Sequence, residues 1–102
     1  MEEASEKRSL IKAFMDEILR PLLTGKHEID ELQHGEECLT DMGNTLAVVD
    51  TRNKRSKFIE VYNKTSRKSM KVRRTTLVTP MKLNVLARWQ EWSSKNVDIK
   101  AE

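Results

Sequence analysis

The sequence predicts an α+β protein, a small antiparallel five-stranded barrel or curved sheet flanked by an N-terminal and a C-terminal helix. Three observations carry that expectation. Apolar residues recur at helical spacing near both ends of the chain. Between them, over residues 36–79, the period shifts towards two and β-branched residues gather in short runs. The best runs are separated by polar turns of about five residues, which suits an antiparallel meander, because parallel crossovers need a dozen or more.

The first helix is expected over residues 6–23. Leu10, Ile11, Phe14, Met15, Ile18, Leu19 and Leu22 share one face, with Lys12, Asp16, Glu17 and Arg20 between them. Ser5 suits the N-cap, and Glu2, Glu3 and Glu6 lie where the helix dipole favours negative charge. Pro21 removes a backbone donor and should loosen the last turn, and Gly25 suits a C-terminal cap. A short helical turn near Glu28 to Gln33 would put Ile29 and Leu32 on one side.

The strands follow. Glu36-Glu37-Cys38-Leu39-Thr40, between Gly35 and Gly43, reads as a first, weak strand. Thr45 to Asp50 is apolar and β-branched, so it reads as a buried strand. Lys57 to Tyr62 alternates, with Ile59 and Val61 inward, and Ser69 to Arg74 alternates strictly, with Met70 and Val72 opposite Lys71 and Arg73. Thr75 to Val78 continues this strand or forms a last one, and Pro80 is expected to stop it. The closing helix is expected over residues 82–94, with Val85, Leu86, Trp89 and Trp92 on one face and a frayed tail beyond.

Composition narrows the class. A chain of 102 residues with 37% apolar and 34% charged side chains suits one domain over 1–102 with a modest core. No apolar run approaches the ~20 residues of a membrane span, and the mixed N-terminus is unlike a signal peptide. Cys38 is the single cysteine, so neither an internal disulfide nor a cysteine-pair metal site is expected. These features point to an intracellular protein of the cytoplasm, or of the nucleoid or nucleus if it binds DNA. Small size, high charge and the lone cysteine suit a bacterial or phage accessory protein.

The net charge of +3 conceals a separation. Residues 1–50 carry five basic and twelve acidic side chains. Residues 51–74 carry ten basic ones, Arg52, Lys54, Arg55, Lys57, Lys64, Arg67, Lys68, Lys71, Arg73 and Arg74, against Glu60 alone. Residues 75–102 are nearly balanced. A partner feels this local charge rather than the average. Lysines and arginines also protect sheet edges from aggregation, but a net of +9 in 24 residues exceeds what edge protection asks for.

Residues 34–80 resemble a small barrel of the KOW/Tudor type. The likeness rests on Gly-Glu-Glu-Cys-Leu, Thr-Leu-Ala-Val-Val-Asp, Lys-Phe-Ile-Glu-Val-Tyr and Met-Lys-Val-Arg-Arg-Thr-Thr-Leu-Val-Thr-Pro. The layout is also similar to the small C-terminal barrels of integrases. The resemblance implies a module that docks on nucleic acid or protein. Only Tyr62, with Phe58 nearby, is of the cage-forming kind, so reading of methyl-lysine is not implied.

No catalytic constellation stands out, and no cofactor is expected. Glu31, His34 and Glu37 have a spacing that could gather a metal ion, but a solvated acidic loop with ordinary histidines is the better reading, and no metal site is expected. Cys38 beside His34 has acidic neighbours that would raise its pKa, so a buried strand cysteine is expected instead of a nucleophile. No glycine-rich phosphate loop is present.

The expected activity is non-catalytic binding of DNA or RNA. Lys57, Lys71 and Arg73 would project from one sheet face, with Arg52, Lys54, Arg55, Lys64, Arg67 and Lys68 crowning the turns and Arg74 closing the strand. Such groups match a phosphate backbone with weak sequence preference, and Tyr62 or Phe58 could stack on an unpaired base. The alternative is a small adaptor or inhibitor docking on a larger protein through its charged surfaces and Trp89 and Trp92. In a third arrangement the acidic segment 28–41 folds over the basic hairpin and masks it.

Overall fold

The computed structural model describes residues 10–52 and 54–96. Its first helix, α1, covers 10–22 and shows what a proline does near a helix end. In an α-helix Pro21 would have no N–H for the carbonyl of Glu17, and its ring would press on that carbonyl. The helix avoids this by widening: Met15–Leu19 is π-helical, the Arg20 N–H bonds to the Met15 carbonyl five residues back, and Arg20–Leu22 returns to α geometry. The loosening therefore reaches back a full turn from the proline. Gly25 follows with φ of 78°, a left-handed conformation that costs a side-chain-bearing residue energy. Ser5 and the expected first helical residues lie outside the described residues, as does the expected tail beyond Asn96.

Six strands form one antiparallel sheet: β1 His27–Glu28, β2 Glu37–Leu39, β3 Thr45–Asp50, β4 Phe58–Asn63, β5 Lys68–Arg73 and β6 Leu77–Lys82. A 3-10 turn, Ile29–Glu31, follows β1 where the short helical turn is expected. The final helix, α2, is Val85–Asn96. The described residues divide into two compact units, one of residues 10–21 and 85–96 and one of Leu22–Asn84. No described helix is long and apolar enough to cross a membrane.

The strand order β1-β6-β2-β3-β4-β5 forces the sheet to curve. From β6 to β5 there are four interstrand steps, about 19 Å across a flat sheet. Yet Arg73 ends β5 and Leu77 begins β6, and four peptide units reach at most ~14 Å. Only a curled sheet brings those ends together. At the corner the Arg74 N–H bonds to the Lys57 carbonyl at 3.0 Å, and the Asp30 N–H bonds to the Arg74 carbonyl at 3.2 Å. No ladder joins β5 to β6, so the sheet is curved but not closed into a barrel.

The sheet differs from expectation in two places. A sixth strand, β1, is only two residues long, too short to show a period of two in the sequence. Pro80 lies inside β6 rather than ending it. β1 pairs only with Leu77 and Val78, so beyond them one side of β6 is an edge, where a proline removes no ladder bond.

The concave side holds Ile29, Leu32, Cys38, Leu46, Val48, Ile59, Val61 and Val78, all at 2% exposure or less, with Val72 and Leu83 packed against them. Full burial of each aliphatic side chain contributes roughly 1.5–3 kcal/mol. In the helical unit, Phe14 meets Trp89 edge-on at 5.2 Å between ring centroids and Trp92 at 5.7 Å. The Trp92 Nε1–H donates to Glu17 at 3.2 Å.

Candidate nucleic-acid interface

The basic segment forms the β4–β5 hairpin and the turn before it. Register fixes its faces, because Phe58 opposes Arg73, Ile59 opposes Val72, Glu60 opposes Lys71, Val61 opposes Met70 and Tyr62 opposes Ser69. Ile59 and Val61 are buried, so the convex face carries Phe58, Glu60, Tyr62, Ser69, Lys71 and Arg73. Lys57 immediately precedes Phe58 and therefore has the opposite parity. The expected trio of Lys57, Lys71 and Arg73 is not on one face; Lys71 and Arg73 are, while Lys57 stands exposed at the end of the hairpin. The Arg73 guanidinium lies over the Phe58 ring, 5.7 Å from its centroid.

The remaining cations go to the two ends of the hairpin. Arg52, Lys54 and Arg55 lie in the β3–β4 connection, and Lys64, Arg67 and Lys68 at the β4–β5 turn. Six residues of strand separate these ends, about 20 Å. The basic groups are thus spread along the hairpin and its two ends rather than gathered in one patch.

Arg52, Lys64 and Arg74 are held by carboxylates among the described residues. Lys64 Nζ meets Glu37 at 3.0 Å. Arg74 is largely buried, meets Asp30 at 2.8 Å and donates from Nε to the Ser56 carbonyl at 2.6 Å. Arg52 meets Asp50 at 3.1 Å and also donates its backbone N–H to that carboxylate. These bonds hold the Asp50 carboxyl below the usual aspartate range and push the Arg52 guanidinium up. Arg74 is therefore a corner brace and not a surface contact. Lys54, Lys57, Arg67, Lys68, Lys71 and Arg73 meet no carboxylate among the described residues.

Masking by the acidic segment is correspondingly partial. Among the described residues, Asp30 and Glu37 of residues 28–41 bridge to the basic segment. The same stretch supplies Ile29, Leu32 and Cys38 to the core, so it is part of the fold and not a removable cover.

The hairpin tip carries one costly conformation. Asn63 is buried and its Oδ1 accepts the N–H groups of Thr65 and Ser66, both at 3.0 Å. The chain then returns through Arg67, whose N–H bonds to the Asn63 carbonyl at 2.7 Å and whose φ is 61°. A non-glycine residue in this left-handed region costs about 1 kcal/mol or more. An arginine here points its charge from the tip of the hairpin at that expense.

The acidic loop holds no metal cluster among the described residues. Glu31 binds His27 Nδ1 at 3.0 Å, Glu37 binds Lys64, and His34 Nδ1 donates to the Val49 carbonyl. Cys38 is fully buried, and burial pushes its thiol up to about 11. Desolvation, rather than the neighbouring acids, is the cause.

Sequence reasoning missed Glu36. It is fully buried, accepting the N–H groups of Gln33 and Asn84, both at 2.8 Å. It ties the chain before β2 to the chain after β6, whereas the sequence reading places it in the first strand and assigns it no buried role. The available signal was parity: Glu36 is two residues from Cys38 and so shares its inward direction.

Trp89 and Trp92 pack on each other, 5.7 Å between centroids, as well as on Phe14, and Trp92 is 7% exposed. They form an aromatic cluster rather than a ready-made docking surface. Comparison of the chain with protein-family models, curated proteins and solved structures gives no match in any of the three.

Proposed function

We propose that this chain is a non-catalytic nucleic-acid-binding module of KOW/Tudor type, laying a phosphate backbone along the β4–β5 hairpin with weak sequence preference. The observation that carries this reading is the charge left over after internal pairing. Along the hairpin and its flanking turn, six cations without a carboxylate among the described residues face one acid, Glu60, that is likewise unpaired there. Cations spread over about 20 Å suit an extended polyanion better than a small anion. Phosphate contacts of this kind fix position without reading sequence, and the sequence carries no recognition-helix signature. Arg67 adds to the argument, because a glycine would relieve the turn but remove the charge.

The test is binding of labelled DNA and RNA oligomers at low salt to the full chain. Combined Arg67→Ala, Lys68→Ala, Lys71→Ala and Arg73→Ala should lower affinity at least tenfold. Arg52→Ala and Lys64→Ala, whose charges are already engaged, should each change it little. Equal binding by the wild type and the fourfold variant would refute the proposal.

A further inference from the structure

We infer that the preferred ligand is a single strand whose bases lie on the convex face of β4, with Glu60 accepting from the exocyclic amino group of a base. The inference rests on the nucleic-acid reading above and narrows it. Outward residues of β4 are Phe58, Glu60 and Tyr62, about 7 Å apart in succession. Phe58 and Tyr62 are 42% and 38% exposed, so each offers ring area on an open surface. Arg73 extends the Phe58 platform with its guanidinium plane, on which a base also stacks.

Glu60 decides which part of the ligand faces this row. Asp50 stands directly across the ladder from it, so two carboxylates are neighbours at the centre of the convex face. Arg52 engages Asp50, while Glu60 has no hydrogen-bond or ion-pair partner among the described residues. Glu60 also lines three surface cavities, of about 260, 560 and 140 Å³, which therefore adjoin around it. A phosphate laid directly over Glu60 would meet an unpaired carboxylate, whereas Lys71 lies across the next ladder and Arg52 already holds Asp50. A duplex keeps both faces of every base stacked, so it cannot use the rings, and it sets its phosphates on the outside, towards the carboxylate. A single strand can turn its bases onto Phe58 and Tyr62 and keep its phosphates beside Lys71, Arg73 and the hairpin ends. Between the two rings, a carboxylate accepts from an amino-bearing edge such as that of cytosine, and repels the carbonyl edge that thymine presents at the same place.

The experiment measures binding of oligo-dC, oligo-dT and a mixed-sequence duplex, each of about twelve nucleotides or base pairs, to the full chain at one low salt concentration. The expected order is oligo-dC tightest, oligo-dT roughly fivefold or more weaker, and the duplex weaker still. Phe58→Ala and Tyr62→Ala should each weaken single-strand binding roughly tenfold. Glu60→Ala should bring the dC and dT affinities together. If Glu60→Ala instead raises both affinities equally and keeps their ratio, the residue is only a repulsive charge and the base-reading role is overturned. Duplex binding as tight as single-strand binding, or equal wild-type affinity for dC and dT, overturns the inference while leaving the nucleic-acid reading intact. Absence of binding to all three oligomers overturns both.

Discussion

Arg67 is a residue whose backbone and side chain make opposite demands. Its φ of 61° favours glycine, while its charge adds to the cations of the hairpin. Arg67→Gly should therefore stabilise the fold by about 1 kcal/mol in denaturant titrations and at the same time weaken oligonucleotide binding; a destabilised variant would show that the side chain braces the turn. Cys38 makes a simpler demand. With its thiol raised to about 11, it should resist alkylation at pH 8 in the folded protein and react once the chain is unfolded. The sign of the pH dependence follows from the raised value. The folded state holds the proton more tightly than the unfolded chain, whose thiol titrates near 9. This contribution is complete below pH 9 and is lost as pH rises towards 11. Unfolding midpoints of wild type and Cys38→Ser should diverge least in that alkaline range.

At the scale of elements, β4 was the most legible part of the sequence and β1 the least. The alternation of Phe58, Ile59, Glu60, Val61 and Tyr62 fixes which side chains enter the core, and Ile59 and Val61 are indeed fully buried. Ile59→Ala should cost roughly 2–5 kcal/mol in chemical denaturation, because its cavity opens at the centre of the sheet. Two-residue β1 has no period to read, and Pro80 looked like a terminator because the sequence does not say which side of β6 lacks a neighbour. Glu36 was missed for a related reason. Its partners are backbone N–H groups of Gln33 and Asn84 that only the fold brings together. Glu36→Ala leaves both donors short of a partner and should cost at least about 2 kcal/mol. Glu37→Ala, which breaks an exposed ion pair with Lys64, should cost well under about 1 kcal/mol.

Across the whole molecule, charge separation in the sequence became charge pairing in the fold, but only in part. The acidic first half engages Arg52, Lys64 and Arg74 and leaves six cations of the hairpin and its flanking turn that meet no carboxylate among the described residues. Which of the ten cations remain available was not legible in the sequence, since Asp30 and Arg74 are 44 residues apart and meet only at the corner between β5 and β6. Releasing Lys64 should strengthen binding, so Glu37→Gln is expected to raise oligonucleotide affinity about twofold to fivefold, as one added phosphate contact would. The most direct test of a phosphate-tracking hairpin is the salt dependence of oligonucleotide binding by the wild-type chain. With four to six hairpin cations engaged, log K should fall linearly with log salt at a slope of roughly −3 to −4 for a single strand. A slope near zero, or no binding at the lowest salt, would contradict the account.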